Sequence, residues 1–298
     1  MDVRHLELLR ELRDRGTLAA VAAATHRTPS AVSQQLRTAE RDLGTALVEP
    51  FSRGVRLTAA GAILADGAEA VGVALAGVRA RLDAQLGEPR GTVSIGTLPS
   101  AGEALLPGLL ERLRGSAIEL RLDDFDLAEA DYAARSMDVD VVIAHSLAGD
   151  VPSGAEQLVS TPLVREPIDV ALSSDHPLAS RRRLHADDLV GTRWIGVPEG
   201  YPFDTILLAV ENHTGERLER RLRLRDNHLV EALVGAGAGL ALLPRFTTRA
   251  RAGVVLRPLD GVRAVRSIVA LSRPDRRARL AVRTVIDHLV EVGRHLEG

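Results

Sequence analysis

Apolar residues recur at steps of three and four along residues 1–86, and this spacing predicts a series of amphipathic helices. The best-defined helix follows Thr28, whose hydroxyl can cap free N–H groups, and starts at Pro29, a residue suited to the first helical position. Its apolar positions are Val32, Leu36, Ala39 and Leu43. They fall on one side of the helix, within about 60° of arc. Gly44 can adopt the left-handed conformation that ends a helix, so the helix is predicted over 29–43.

The opposite side of this helix is polar and lacks carboxylates over its first turns. Its residues are Ser30, Gln34, Arg37 and Arg41, about 160° from the apolar side. Hydroxyl, amide and guanidinium groups can bond base edges and phosphates in a DNA major groove. Taken alone, however, the helix is better explained as an ordinary solvated surface helix. The neighbouring segments therefore decide its interpretation.

Those neighbouring segments favour DNA binding. A shorter helix is predicted at Leu18–Ala24, with Thr17 as its cap, and the link 25–27 joins it to the next helix. Two helices joined by such a link, the second with a polar reading face, form a helix-turn-helix. The segment Val3–Arg13 supplies a third helix. Residues 52–57 predict a turn and a short strand with two arginines, a wing that can reach the DNA backbone or minor groove.

Residues 17–61 resemble the DNA-binding domain of the LysR-type transcriptional regulators. The resemblance rests mainly on Thr28–Leu36 (TPSAVSQQL) and Arg53–Gly61 (RGVRLTAAG), whose spacing agrees with the family without a gap. Pro50 departs from the family pattern, which usually has an arginine there. The resemblance implies a sequence-specific regulator that binds double-stranded promoter or operator DNA. The residues expected to contact DNA are Thr17, Thr28, Ser30, Ser33, Gln34, Arg37, Arg41, Arg53 and Arg56.

Residues 59–86 predict one long helix, capped by Thr58. Its apolar positions alternate four and three apart, which is the period of a coiled-coil seam. They are Leu64, Ala68, Val71, Leu75, Val78 and Leu82. A core helix packed in its own domain is the alternative. The seam favours a homodimer. The resemblance agrees, because this segment is the dimerising linker helix of the family, and it also implies that a homotetramer can form through the C-terminal, effector-binding domains.

From Thr92 onwards predicted strands and helices alternate, which indicates an α/β region with parallel strands. The breaker cluster Gly87–Gly91 marks its start. The first set has predicted strands at 92–96, 118–123 and 139–144 and helices at 101–114 and 128–135. The second set has strands at 168–173, 194–197, 219–225, 240–242, 254–257 and 267–271 and helices at 204–214, 229–234 and 275–295.

This half of the chain resembles the effector-binding domain of the same family, on the motifs GTVSIG (91–96), DHPLA (175–179) and GAGAGLALLP (235–244). The resemblance implies an α/β fold of two lobes, similar to type 2 periplasmic binding proteins, behind an N-terminal all-α winged helix-turn-helix and a long linker helix. The expected domains are 1–58 for the winged helix-turn-helix, 59–90 for the linker helix and hinge, and 91–298 for the effector-binding domain. Lobe I would comprise about 91–160 and 266–298 and lobe II about 161–265, with crossings near 160–162 and 261–265.

A small-molecule effector is expected between the lobes, because ligands of such folds bind at the carboxyl ends of the strands. Several loops there precede predicted helices, whose N-terminal N–H groups suit an anionic group. Each loop residue could instead be a helix cap or a packing residue. The residues expected to line the site are Thr97, Pro99, Ser100, His145, Gly200, Tyr201, Phe203, Asn227 and His228.

Composition excludes several kinds of chemistry. The chain has no cysteine, which rules out disulfides, a cysteine nucleophile and zinc–thiolate sites. The glycines at 235–239 follow a predicted helix and precede a strand, the reverse of a dinucleotide-binding loop. No histidine has metal-ligand spacing with the carboxylates at 123–126. We therefore expect no enzyme activity, no cofactor and no metal.

The charge and the N-terminus bear on partners and location. The formal net charge is −2, but residues 1–60 hold nine Arg against seven Asp and Glu, a weak excess of positive charge for a DNA-binding domain. The N-terminus has no apolar signal segment, and the longest uncharged apolar run, 233–244, is too short to span a membrane. We expect a cytoplasmic protein without a membrane partner. The alternatives are a solute-binding protein, which would be exported, and an enzyme of doubly wound fold, which would need a cofactor loop or a catalytic constellation.

Overall fold

A computed structural model describes residues 2–52, 54–85, 87–125, 132–248 and 253–297. In this part of the chain, an N-terminal head is followed by one long helix and then by an α/β region built on a nine-stranded sheet. The head consists of α1 (Val3–Arg15), α2 (Leu18–Ala24), α3 (Pro29–Leu43) and a hairpin of β1 (Val48–Phe51) and β2 (Gly54–Leu57).

The head has the helices and caps that the apolar spacing predicts. Thr17 and Thr28 accept hydrogen bonds from backbone N–H groups in the first turns of α2 and α3, at 3.1 and 3.2 Å. Val32 and Ala39 of α3 are fully buried in an aliphatic core. The wing has two strands where a turn and one strand were predicted, because the residues from Val48 onwards complete the antiparallel ladder.

The long helix, α4 (Ala59–Gln85), begins as predicted at the cap Thr58, whose hydroxyl accepts from the Gly61 N–H at 3.1 Å. Its first half packs on α1, and its second half is largely exposed. By length and composition alone α4 could cross a membrane. Sequence reasoning instead selected 233–244, which forms the end of a short helix and a buried strand. Asp66 pairs with Arg13 of α1 at 2.9 Å, which fits a linker helix packed on the head.

The α/β region begins directly after the linker. Its first elements are β3 (Arg90–Thr97), α5 (Pro99–Arg112), β4 (Ala117–Asp124), α6 (Tyr132–Arg135), β5 (Val141–Ser146), β6 (Val159–Ser173), β7 (Leu184–His185), β8 (Arg193–Gly196) and α7 (Pro202–Thr214). They are followed by β9 (Glu219–Arg223), α8 (Asn227–Gly235), β10 (Leu240–Pro244), β11 (Val254–Arg257), β12 (Leu259–Asp260), β13 (Val265–Ser272), α9 (Pro274–Arg277) and α10 (Leu280–Glu297). The main sheet has the order β4-β3-β5-β13-β6-β10-β8-β9, with β11 also paired to β6.

Each half of this sheet has its own aliphatic core. The larger cluster of the first half lies around β3, β5, α5 and α10, that of the second half lies around β8, β10 and α7, and a smaller cluster lies on the opposite face of each half. The strands β6 and β13 connect the two halves, since β6 pairs with β13 from Val159 to Pro167 and with β10 from Ile168 onwards. The predicted α/β fold is confirmed, but the sheet is mixed and not parallel throughout, since β13 and β6 pair antiparallel with their neighbours.

The partner change in β6 falls at Pro167–Ile168, whereas the crossing was expected near 160–162. Proline suggests a break in the sequence pattern, but Pro162 lies inside the ladder with β13. A register shift between Ile268 and Val269 makes room for it. Two other segments differ from prediction. The helix predicted at 275–295 is split into α9 and α10, and residues 128–131 of the helix predicted at 128–135 lie outside the described residues.

Candidate functional site

The outer face of α3 is the first candidate site. Ser30, Gln34, Arg37 and Arg41 are all exposed. Arg37 donates from Nη1 to Ser33 Oγ at 2.9 Å, so its guanidinium is held along the helix. Glu40 is turned away from this face, since its carboxylate accepts from the Leu47 N–H at 3.0 Å. The exposed face is therefore polar and basic, and the Glu40 carboxylate is used to tie α3 to the residue just before the wing.

The other residues predicted to contact DNA lie at the edges of this face. Thr17 and Thr28 use their hydroxyls as helix caps, and Thr28 Oγ1 is also 3.0 Å from Ser30 Oγ. Arg56 lies on the wing, paired with Glu49 at 2.5 Å. Arg53 lies outside the described residues.

Sequence reasoning missed Arg27, an exposed cation in the link between α2 and α3. Its Nη1 donates to Gln35 Oε1 at 2.5 Å, and Gln35 donates in turn to the carbonyl of Arg4 at 2.7 Å. The arginine is thereby fixed beside the N-terminus of α3. Its place in the link was the one signal that could have selected it.

The second candidate site is a cavity of about 310 Å³ between the two halves of the α/β region. The N-termini of α5, α7 and α8 all reach it, and their free N–H groups give it positive partial charge. It is lined by Leu98, Pro99, Ser100, Glu103, Tyr132, His145, Val197, Tyr201, Pro202, Phe203, Arg225, Asp226, Asn227, His228 and Arg266.

The cavity brings together most of the residues that the sequence suggested for it. These are Pro99, Ser100, His145, Tyr201, Phe203, Asn227 and His228. Thr97 and Gly200 are not part of the lining. Thr97 is buried and donates its hydroxyl to the Leu98 carbonyl at 3.1 Å. Gly200 shapes the turn before α7, where its φ of +82° favours glycine.

Arg266 lies at the base of the cavity and is only 1% exposed. Its Nε and Nη2 donate to Glu166 Oε2 at 2.8 and 2.6 Å, and its Nη1 donates to Ser100 Oγ at 3.0 Å. Glu166 is fully buried and stands directly opposite Arg266 in the β6–β13 ladder. The ion pair therefore joins the cavity to the two strands that connect the halves of the domain.

His145 is a neutral imidazole beside this ion pair. Burial, and then the nearby Arg266 guanidinium, lower the pKa of His145 to about 3. Its Nδ1 lies 3.3 Å from Arg266 Nη1, and because arginine can only donate, Nδ1 accepts and the proton is on Nε2. The ring also packs near Phe203, with 6.1 Å between the ring centroids. The base of the cavity thus has no net charge but offers several N–H and O–H groups.

The rim of the cavity carries charges of both signs. His228 Nε2 lies 3.5 Å from Glu103 Oε2, and the Arg225 guanidinium lies 4.7 Å from the centre of the Tyr201 ring. In the described ranges there is no group of three or more His, Asp or Glu side chains that could hold a metal ion. Polar groups at the base and aromatic walls suit reversible binding of a small molecule with one anionic or hydrogen-bonding group.

Comparison with known proteins gives matches in both parts of the chain. Residues 3–62 match the family of bacterial regulatory helix-turn-helix proteins of the LysR type, and residues 86–294 match the LysR substrate binding domain. The hydrogen peroxide-inducible genes activator of Pectobacterium carotovorum subsp. carotovorum is 27% identical over 308 residues, which cover 100% of this chain and 98% of that protein.

Solved structures give the same picture for the fold. A full-length OxyR cysteine-to-aspartate variant from Pseudomonas aeruginosa superposes with a TM-score of 0.67 at 20% identity, covering 99% of this chain and 95% of that one. Full-length CbnR in complex with its target DNA superposes with a TM-score of 0.56 at 19% identity, covering 98% and 100%. The role follows from the sequence matches, since the helix-turn-helix family match of residues 3–62 and the curated relative support a regulator and not a solute-binding protein.

Proposed function

Because this chain belongs to the LysR family of bacterial transcriptional regulators, we propose that its head binds operator DNA in response to a small molecule held between two lobes. Its relatives are transcriptional regulators rather than enzymes. The observation that carries the DNA-binding proposal is the exposed face of α3, which presents Ser30, Gln34 and Arg37 without an intervening carboxylate. We divide the chain into the DNA-binding domain 1–58, the linker 59–90 and the effector-binding domain 91–298.

Gln34 is the residue of this face best suited to read a base. Its amide can bond an adenine through both its donor and its acceptor, whereas Arg37 and Arg41 can also neutralise phosphates. Thr17, Thr28 and Arg27 lie beside the helix N-termini, where backbone N–H groups add contacts to phosphate. Base reading is therefore assigned to the middle of α3 and backbone contacts to its ends.

Gln34→Ala is expected to relax base preference at one position of each half-site, with about 1–3 kcal/mol of discrimination lost there. Gel-shift titration would compare the wild-type and variant proteins on promoter DNA from beside the chain's own gene and on single-base variants of it. Arg41→Ala is the matched control and should weaken binding evenly across all sequences. If the wild-type protein shows no salt-sensitive, sequence-dependent binding, the proposed function is wrong.

The effector is proposed to bind in the cavity above Arg266. The relative named above is an activator of hydrogen peroxide-inducible genes, but this chain has no cysteine and so cannot form a sulfenic acid or a disulfide. A reversibly bound small molecule is the signal that the cavity supports, because Ser100, His145 and Arg266 meet at its base. A ligand contacting both α5 and α7 would favour one arrangement of the lobes, and the position of the heads would follow.

A metabolite that binds in this cavity is expected to raise the melting temperature. At a metabolite concentration of a hundred times Kd, binding adds about 2.7 kcal/mol to the free energy of unfolding. Thermal-shift screening of metabolites would identify it. Ser100→Ala should reduce the shift, because its hydroxyl lies in the lining and bonds Arg266. Ser180→Ala, at an exposed site outside the cavity, is the control. Equal shifts in both variants would place the binding site elsewhere.

The assembly is proposed to be a dimer through α4 or a tetramer that also uses the effector domains. The exposed seam of α4 supports the first interface, with Leu75 47% and Leu82 55% exposed. Exposed leucines on α5, β4, α7 and β9 support the second interface. They are Leu110, Leu122, Leu208 and Leu222. A target on chromosomal DNA would place the protein in the cytoplasm.

A further inference from the structure

Phe51 stands apart from the other aromatic side chains of this protein. The chain has four Phe, two Tyr and one Trp. All seven lie in the described residues, and six of them are buried or half-buried in the cores or at the cavity. Phe51 is 54% exposed. A large apolar ring in water at one end of the head is a candidate contact for a partner.

The hairpin register puts Phe51 on the outer face of the wing. Cross-strand partners share a face, and the pairs Glu49–Arg56 and Phe51–Gly54 alternate with Val48–Leu57. Val48 and Leu57 pack against the core of the head. The side chains of Glu49, Phe51 and Arg56 therefore form the surface that the wing presents to solvent.

The same end of the wing lies beside the start of α2. Gly54 packs so closely on Gly16 that an added Cβ would be 2.3 Å from the Gly16 carbonyl oxygen and 3.0 Å from the Thr17 methyl group. The Val55 N–H donates to that same carbonyl at 2.9 Å. Phe51 is one strand spacing from Gly54, its cross-strand partner, and Gly54 in turn packs on Gly16 and on Thr17, the cap at the N-terminus of α2. Such N-termini face DNA phosphates in a helix-turn-helix.

The charge of Arg56 is already engaged in the free protein. Its guanidinium donates to Glu49 Oε1 at 2.9 and 2.5 Å and lies 5.0 Å from the centre of the Phe51 ring. The ring is therefore supported on one side by a cation that a carboxylate neutralises. In the described part of the wing tip, the group most accessible to DNA is therefore the apolar Phe51 ring, because the positive charge of Arg56 is paired with Glu49.

We propose that Phe51 is a DNA-contacting residue of the wing, packing its ring on the sugars and base edges of the operator minor groove while Arg56 holds the ring in place. This extends the proposed DNA binding, on which it rests, from the polar face of α3 to an apolar contact outside the major groove. Apolar side chains in the minor groove respond to groove width and to the ease of unstacking, so the contact would read the sequence flanking each half-site.

The test separates apolar contact from charge. A duplex that the full-length wild-type protein selects from a random pool would be labelled, and binding measured by fluorescence anisotropy over a series of salt concentrations. Phe51→Ala is expected to weaken binding roughly tenfold at every salt concentration, with the slope of log K against log salt unchanged. Arg41→Ala should instead reduce that slope by about 0.9 for each phosphate that the variant no longer neutralises. Val190→Ala, an exposed apolar position in the α/β region, should bind like the wild type.

A second readout locates the contact on the DNA. Hydroxyl-radical footprinting should show minor-groove protection beside each half-site with wild-type protein, and Phe51→Ala should lose that protection alone. An unchanged affinity and an unchanged footprint would overturn the proposal. If such a variant nevertheless failed to regulate transcription, Phe51 would contact a protein and not DNA, and the proposal would be wrong as well. A change in the salt slope would also overturn it. If the wild-type protein selects no duplex, the proposed function falls first and this inference with it.

Discussion

Glu166→Gln should lower the free energy of unfolding by about 3–5 kcal/mol, because it leaves the buried Arg266 charge without a counterion. Both side chains are essentially excluded from solvent, and the carboxylate accepts from two guanidinium nitrogens as well as from the Phe246 N–H at 2.7 Å. Glutamine keeps the shape but not the charge. Denaturant unfolding followed by circular dichroism would measure the change.

Two controls separate charge from packing in this prediction. The exposed pair Arg183–Asp260 has a similar distance, 2.9 Å, and Asp260→Asn should cost no more than about 1 kcal/mol. The double variant Glu166→Leu with Arg266→Met should recover most of the stability, since two apolar groups replace the pair. It should nevertheless lose the thermal response to an effector, because the base of the cavity is gone. A Glu166→Gln protein as stable as Asp260→Asn would show that Arg266 reaches water or another anion.

This ion pair also marks the limit of what the sequence predicts. The local features were accessible: Thr28 with Pro29 predicts the start of α3, and the apolar spacing predicts the helices of the head. The sequence also predicts that Pro99–Ser100 and Asn227–His228 lie at the cavity, because each pair stands at the start of a helix. A helix start can be recognised from a few consecutive residues. These arguments need only neighbours within a few residues.

The features that were missed depend on distant pairing. Arg266 and Glu166 are 100 residues apart, and each looks in the sequence like an ordinary charged strand residue. Only the antiparallel register of β6 and β13 makes them direct partners. Phe51 was overlooked for the opposite reason. An aromatic residue in a short strand suggests a buried position, and its exposure depends on which face of the hairpin packs on the core.

The head and the α/β region also contact each other through charges within one chain. Arg10 of α1 donates to Asp275 at 2.9 Å, and Arg15 to Asp138 at 3.1 Å. The Arg10–Asp275 pair is mostly buried. Burial alone would raise the pKa of Asp275, but the neighbouring arginines outweigh it and lower that pKa, so this carboxylate stays charged at neutral pH. Any movement of the α/β region relative to the head must either break these ion pairs or move both partners together. The direction in which an effector shifts the heads is therefore restricted by them.

Val78→Glu combined with Leu82→Glu should halve the number of subunits and weaken operator binding by about two orders of magnitude. Both side chains are 55% exposed on one side of α4, so the change should leave the fold of the chain intact. Burying four carboxylates at a two-helix seam is strongly unfavourable, because each would lose its hydration without gaining a partner. Separated heads would then bind half-sites independently and lose an avidity of about 10²–10⁴. Light scattering on a sizing column and fluorescence anisotropy would measure the two effects.

Ala84→Glu is the matched control, since Ala84 lies about 150° around the helix from the seam at about 100° per residue and is also exposed. It adds one carboxylate to each subunit, where the seam variant adds two, in the turn of α4 that contains Leu82, and should change neither the mass nor the affinity beyond a small electrostatic decrease. If the seam variant keeps its mass, α4 is not the interface, and its exposed leucines must be covered in another way. If the mass halves but the affinity stays, a single head supplies the binding energy, and the reading face of α3 needs no second copy to recognise its site.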